Sequence, residues 1–128
     1  MKILVTRYKK QVDQGRVFLH EQPAHAKSWV IPEVREMMAD AGVTVVGVDQ
    51  CMYGLKTKGQ RKGEWLPAKN STCFMTNIWH IAQRLQERCD GNHKHQAIIG
   101  GGRSQEGQVY SEGLCRAICE GLLKERQV

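Results

Sequence analysis

One seven-residue segment, residues 89–95, holds three side chains that commonly bind metal ions. Cys89, His93 and His95 are its donors, and Gly91 lies between the cysteine and the histidines. In an extended segment, residues two apart point to the same side, so His93 and His95 share a face. A glycine at position 91 allows the chain to turn back toward Cys89, because glycine tolerates backbone conformations that other residues avoid. The segment therefore predicts three donors that converge.

Three donors are one fewer than a structural zinc site needs. Zinc in such sites has four ligands, mostly cysteine sulfur and histidine nitrogen, arranged as a tetrahedron. The candidates for the fourth ligand are Cys51, Cys115 and Cys119. The spacing follows no standard zinc-finger signature. The alternative is a polar loop with two solvated histidines and a cysteine that packs as a small apolar side chain.

Length and composition restrict the number of domains, the cellular compartment and the class of partner. A chain of 128 residues with 41% hydrophobic content is expected to form a single α/β domain, residues 1–128, with its own core. No segment is long and apolar enough for a membrane span or a secretory signal, so we expect a cytoplasmic or nuclear, intracellular protein. An odd count of 5 cysteines favours buried thiols or metal ligands over disulfides. The net charge of +6 favours a polyanionic partner, although it also serves solubility.

Hydrophobic periodicity divides the chain into alternating helices and strands. Helices are predicted over residues 1–14, 32–41 and 77–88 and from residue 111, and strands over residues 16–21, 43–49, 72–77 and 96–99. The strand at 43–49 is almost entirely β-branched, which is typical of a central strand. This order predicts an α/β three-layer sandwich with a mostly parallel, Rossmann-like sheet.

Polar residues follow two of these predicted strands. His20 and Glu21 end the first, and Asp49 ends the second. Ligands of open parallel sheets gather at the carboxyl ends of strands, so these three are the candidate catalytic residues. Glu21 could hydrogen-bond an amide or a base edge, and His20 could transfer a proton. The alternative is that Glu21 caps a turn and His20 is half-buried.

A basic connector, residues 56–69, separates the second and third predicted strands. Its candidate nucleic-acid-binding residues are Lys56, Lys58, Arg61, Lys62 and Lys69. The basic face of the first helix is a second candidate, and a solvated charged surface is the alternative for both. The glycine-rich turn at residues 100–103 is a weak phosphate-binding pattern, because no Lys-Ser/Thr pair follows it.

Several motifs occur along the chain in a characteristic order. They are Gly15-Arg16-Val17-Phe18-Leu19-His20-Glu21-Gln22-Pro23, Ser28-Trp29, Asp49-Gln50-Cys51-Met52-Tyr53-Gly54, Phe74-Met75-Thr76-Asn77, Cys89-x-Gly91-x-His93-x-His95, Gly101-Gly102-Arg103, Val109-Tyr110 and Leu114-Cys115-Arg116-Ala117-Ile118. Together they resemble a region of Copia-type retrotransposon polyproteins of eukaryotic microbes. The resemblance implies a mobile-element context, with the rest of a retroelement polyprotein as a partner, and implies little chemistry.

A fainter similarity concerns DNA cytosine C5-methyltransferases. Glu21 with Pro23, then Asp49, then Tyr53-Gly54 follow the order of a Glu-Asn-Val strand, an acidic strand end and an aromatic-Gly turn in those enzymes. The similarity implies that Glu21 binds a target base. The Pro-Cys nucleophile of that family is missing from this sequence.

Two hypotheses follow. The first is a zinc-binding, non-enzymatic or degenerate module of a retroelement that contacts nucleic acid. No membrane partner is expected for it. The alternative is a methyltransferase-like or nuclease-like enzyme fragment that uses Glu21, Asp49 and His20.

Overall fold

A computed structural model of the chain describes residues 1–98 and 109–127. The described helices are α1 (Lys2–Asp13), α2 (Pro32–Met38), α3 (Trp79–Arg84) and α4 (Glu112–Arg126). The strands are β1 (Leu19–Pro23), β2 (Thr44–Asp49), β3 (Lys56–Lys58), β4 (Trp65–Pro67) and β5 (Ser71–Thr76). Two short 3₁₀ helices, Lys27–Val30 and Gln50–Tyr53, precede α2 and follow β2.

The strands form two small sheets, and every strand pair in the described ranges is antiparallel. The larger sheet has the order β1-β5-β2, with Phe74 of β5 opposite Glu21 on one side and Val46 on the other. The smaller sheet is the β3–β4 hairpin, in which Lys58 lies opposite Trp65. The basic connector of residues 56–69 therefore contains the hairpin.

The predicted mostly parallel, Rossmann-like sheet is wrong. β1 and β2 run in the same direction, because each is antiparallel to β5, but β5 lies between them. The order of elements along the chain does not reveal this, because a strand later in the sequence can pair between two earlier strands that a crossover connects. β2, predicted as the central strand, is an edge of this sheet, and β5 is its centre.

Helices cover both faces of the larger sheet. Phe74 and Met75 are adjacent on β5 and point to opposite faces, because side chains alternate along a strand. Met75 belongs to one core, with Val5, Phe18, Trp29, Val34 and Met37 from the α1 and α2 side. Phe74 belongs to the other, with Val48, Ile78, Ile81, Leu85 and Leu114 from the α3 and α4 side.

The start of α4 fixes the 3₁₀ helix that follows β2. The Ser111 side chain caps α4 by accepting the Leu114 N–H at 3.2 Å, and it donates to the Tyr53 carbonyl oxygen at 2.7 Å. A Cβ atom at Gly113 would lie 2.3 Å from that same oxygen, so a glycine is needed for this approach. The residues just after β2 are therefore held against α4.

Four predicted elements differ from the structure. β1 spans Leu19–Pro23 rather than residues 16–21, and α2 ends at Met38 rather than at residue 41. α3 ends at Arg84 rather than at residue 88, and the chain after it places the Glu87 carbonyl 2.9 Å from the Asp49 N–H. Residues 96–98 are not in a strand, and the Gln96 N–H donates to the Pro67 carbonyl at 3.0 Å. Residue 99 and the glycine-rich turn at 100–103 lie outside the described residues.

Candidate metal centre

Four side chains bring their donor atoms together beside the end of β2. They are Cys51, Cys89, His93 and His95, and their ligand atoms all lie within 4.8 Å of one another. The Cys89 Sγ is 3.6 Å from His93 Nε2 and 3.4 Å from His95 Nε2. A tetrahedral zinc ion with ordinary bond lengths separates sulfur from nitrogen by about 3.6 Å. This group could therefore hold a metal ion.

Cys51 is delivered by the 3₁₀ helix Gln50–Tyr53. Gln50 anchors this turn, since its N–H donates to the Lys69 carbonyl at 2.6 Å and its side-chain amide donates to Thr72 at 2.9 Å. Gly54 ends the turn in the left-handed region, with φ of 87°, which favours glycine. The Cys51 thiol is held in a partly buried position next to Cys89.

The other three donors come from one tight loop. Gly91 has φ of 76°, and its N–H points back to the Cys89 sulfur at 3.4 Å. Asp90 supports the turn by accepting the Asn92 N–H at 2.9 Å. The His93 and His95 rings then meet edge to face, with centroids 4.7 Å apart and planes at 89°. The turn at Gly91 thus folds the loop so that both Nε2 atoms reach one sulfur.

Asp49 anchors the start of the Cys89–His95 loop through hydrogen bonds. Its buried carboxylate accepts the Cys89 N–H at 2.7 Å, the Ser71 hydroxyl at 2.5 Å and the Arg88 Nε at 3.3 Å. Burial by itself raises the pKa of Asp49, but these hydrogen bonds and nearby positive charge outweigh it and lower that pKa. An ionised carboxylate therefore fixes the backbone of one candidate ligand.

The surroundings of Cys51 disfavour the thiolate form of its side chain. Burial, with the adjoining Cys89 thiol and Asp49 charge, raises the pKa of Cys51 to about 11. Cysteine binds metals as the thiolate, so metal binding at Cys51 would release the proton of this thiol.

The three cysteines left open as fourth ligand are now distinguished. Cys51 is in the donor group, whereas Cys115 and Cys119 are exposed on α4 and are not members of it. Cys73, on β5, is partly buried against the α1 and α2 core.

The candidate catalytic residues do not come together. His20 and Glu21 are adjacent on β1 and face opposite sides of the sheet. Buried His20 is hydrogen-bonded through Nδ1 to the Tyr8 hydroxyl at 2.9 Å, and burial lowers its pKa. Glu21 accepts the Tyr110 hydroxyl at 2.7 Å on the other side. Asp49 is the last residue of β2, where it supports the Cys89–His95 loop.

The basic connector presents its charges on the hairpin and beside it. Lys56, Lys58, Arg61, Lys62 and Lys69 are all exposed. Trp65, which the sequence analysis did not single out, is 52% exposed on the same face as Lys58. The available signal in the sequence was a tryptophan within a run of basic residues.

The basic face of α1 is partly neutralised by α2. Lys2 lies 3.5 Å from Glu33, and Lys9 lies 3.1 Å from Glu36. These exposed pairs leave less of α1 for a polyanion than its sequence indicates, so the hairpin is the stronger candidate.

Comparisons of the chain with protein-family models, curated proteins and solved structures find no significant match. Within the described ranges, no helix has the length and apolar character needed to cross a membrane.

Proposed function

We propose that this chain is a zinc-binding, non-enzymatic module of a retroelement that contacts nucleic acid through its β3–β4 hairpin. The observation that carries the proposal is the convergence of Cys51, Cys89, His93 and His95.

The donor set favours zinc among the common metal ions. Two sulfurs and two imidazole nitrogens are the ligands of many structural zinc sites, whereas calcium and magnesium prefer oxygen. The four donors would fill all four positions of a tetrahedral zinc ion, as in structural sites, while catalytic zinc keeps one position for water. A structural role follows from this closed set.

Hydrogen bonds connect the metal loop to the basic hairpin. Gln96 directly follows His95; its N–H donates to the Pro67 carbonyl of β4 at 3.0 Å, and its side-chain oxygen lies 3.4 Å from the Gln60 amide nitrogen. A metal ion that fixes His93 and His95 would therefore also restrict the position of the hairpin. The hairpin's lysines and arginine are suited to phosphate, whose neutralisation releases counterions and favours binding.

The retroelement context is supported by the ordered motifs, which include the three donors of the Cys89-x-Gly91-x-His93-x-His95 pattern. The enzymatic alternative has less support, because Glu21 and Asp49 are engaged by Tyr110 and by the Cys89 loop respectively.

The first experiment is elemental analysis of the purified chain, with Cys51→Ser and Cys115→Ser as a matched pair. We expect one zinc per chain for the unmodified protein and for Cys115→Ser, and loss of tight zinc binding for Cys51→Ser. Equal zinc content in the two variants, or none in the unmodified chain after growth with zinc, would contradict the metal assignment.

The second experiment measures binding of a labelled oligonucleotide at 50 and 200 mM salt. If about five cations contact the phosphates of a single strand, affinity should fall by roughly a hundredfold over this range. Replacing Arg61 and Lys62 together by alanine should weaken binding and flatten the salt dependence. Salt-independent binding, or no binding at 50 mM salt, would contradict the nucleic-acid assignment.

A further inference from the structure

Trp65 is an exposed tryptophan within a basic surface. Its 52% exposure is high for a side chain of this size, and the hairpin register places it directly opposite Lys58. Lys56 lies two residues away on the same face of β3, while Thr57 between them is buried. The solvent side of the hairpin thus combines a flat aromatic surface with two ammonium groups.

A cleft opens beside this tryptophan. Its volume is 450 Å³, and its walls include Lys56 and Trp65 from the hairpin and Tyr110 from the segment before α4. The Tyr110 hydroxyl is held by Glu21, so this wall is fixed in position. Glu112 also lines the cleft, and its carboxylate forms an ion pair with Arg116 at 2.8 Å. The cleft can admit a planar ring next to Trp65.

We propose that Trp65 stacks on a base of single-stranded nucleic acid, with Lys56 and Lys58 beside its phosphates. The proposal rests on the proposed nucleic-acid contact and names its substrate class. Aromatic side chains within a positively charged groove are the common means of binding single strands, because every base has a face that can stack. A duplex keeps its base faces stacked inside, so it cannot use this surface in the same way.

A second tryptophan provides a matched control. Trp79 is 55% exposed, almost the same as Trp65. It begins α3 after the Thr76 end of β5, whereas the hairpin joins β5 at its Ser71 end. Replacing either tryptophan removes an exposed indole of similar accessibility, but only Trp65 adjoins the hairpin lysines.

The test titrates the zinc-loaded protein with oligothymidylate at 50 mM salt and follows both tryptophan fluorescence and affinity. For Trp65→Leu we expect affinity to fall by roughly 5- to 150-fold and most of the quenching to disappear. Trp79→Leu should bind as the unmodified chain does, and Trp65→Phe should recover part of the affinity because a ring face remains. A duplex of matched length should quench much less.

The outcomes separate this inference from the proposed function. If the unmodified chain binds with the expected salt dependence but Trp65→Leu and Trp79→Leu bind equally, the stacking proposal is overturned and the hairpin contact stands. A duplex that binds better than the single strand and quenches Trp65 equally would also overturn it. If no oligonucleotide binds at 50 mM salt, the proposed function fails along with it. Circular dichroism of Trp65→Phe and Trp65→Leu checks that both variants are folded.

Discussion

Replacing Cys89 by serine should destabilise the protein far more than the same replacement at Cys73. Both cysteines are partly buried, and both substitutions exchange sulfur for oxygen. Cys73 packs against the α1 and α2 core, so its loss removes only packing. Cys89 lies at the centre of the donor group, with both imidazoles within 3.6 Å of its sulfur. Its loss would remove one of the four candidate ligands.

The size of the difference follows from metal linkage. A metal present at 100 to 1,000 times its dissociation constant stabilises the native state by about 2.7–4.1 kcal/mol. An unfolding entropy of about 2.1 cal/mol/K per residue means that, for 128 residues, each kcal/mol shifts the melting temperature by about 3.7 °C. Bound zinc should therefore raise the melting temperature by about 10–15 °C. The Cys73→Ser variant loses only about 1 kcal/mol, because its side chain is half-buried.

The assay is thermal unfolding of the unmodified chain and both variants, each with saturating zinc and with excess chelator. Chelator should lower the melting temperature of the unmodified chain and of Cys73→Ser by about 10–15 °C. It should have little effect on Cys89→Ser, which has already lost tight binding. Equal melting temperatures of the two variants in zinc, or an undiminished chelator response in Cys89→Ser, would refute the reasoning.

Three further predictions concern the surroundings of the site and the cores. Asp49→Asn should lower zinc affinity by roughly 10- to 100-fold, because the carboxylate that orients the Cys89 backbone is lost; chelator competition measures this, and an unchanged affinity would count against it. Gly121→Ala should cost roughly 1–3 kcal/mol in denaturant unfolding, since its Cβ would lie 2.6 Å from the Ile81 Cα; no loss of stability would argue against a tight α3–α4 contact. Burial makes the pKa of His20 lower in the folded chain than its ordinary 6.5, so the contribution of His20 to the free energy of unfolding should be constant above about pH 6.5 and fall as the pH drops below it. His20→Leu should lack this part of the pH dependence, and identical pH profiles of the two proteins would contradict the burial of a neutral imidazole.

Local patterns predicted most individual elements, because they depend on neighbours in the sequence. The periodicity of residues 1–14 and the Ser111 cap correspond to α1 and α4 in the structure. The sheet was mispredicted because its order depends on contacts between distant residues. Nothing in the β-branched run of residues 43–49 distinguishes a central parallel strand from an edge strand paired with β5 on one side.

In the candidate site, too, the local features were predicted from the sequence, and the contact between distant segments was not. Cys89, His93 and His95 were predicted together because a seven-residue loop with a glycine can bring them together without help from the fold. The choice of Cys51 depends on packing between distant segments, where Ser111 and Gly113 hold the turn after β2 against α4. The sequence alone left the fourth ligand open among three cysteines, since each was compatible with an unknown sheet order.

The candidate metal centre and the hydrophobic cores are separate parts of the structure, and this separation indicates what a bound metal ion would do. None of the four donors belongs to either buried core. The β3–β4 hairpin has strands of only three residues, and an isolated two-stranded hairpin is marginally stable. Its Thr57 is buried, and the N–H of Gln96, the residue after His95, donates to its Pro67 carbonyl. A metal ion bound at the donor group would therefore position the hairpin in addition to stabilising the fold, so chelation should weaken oligonucleotide binding while the buried cores still hold the larger sheet.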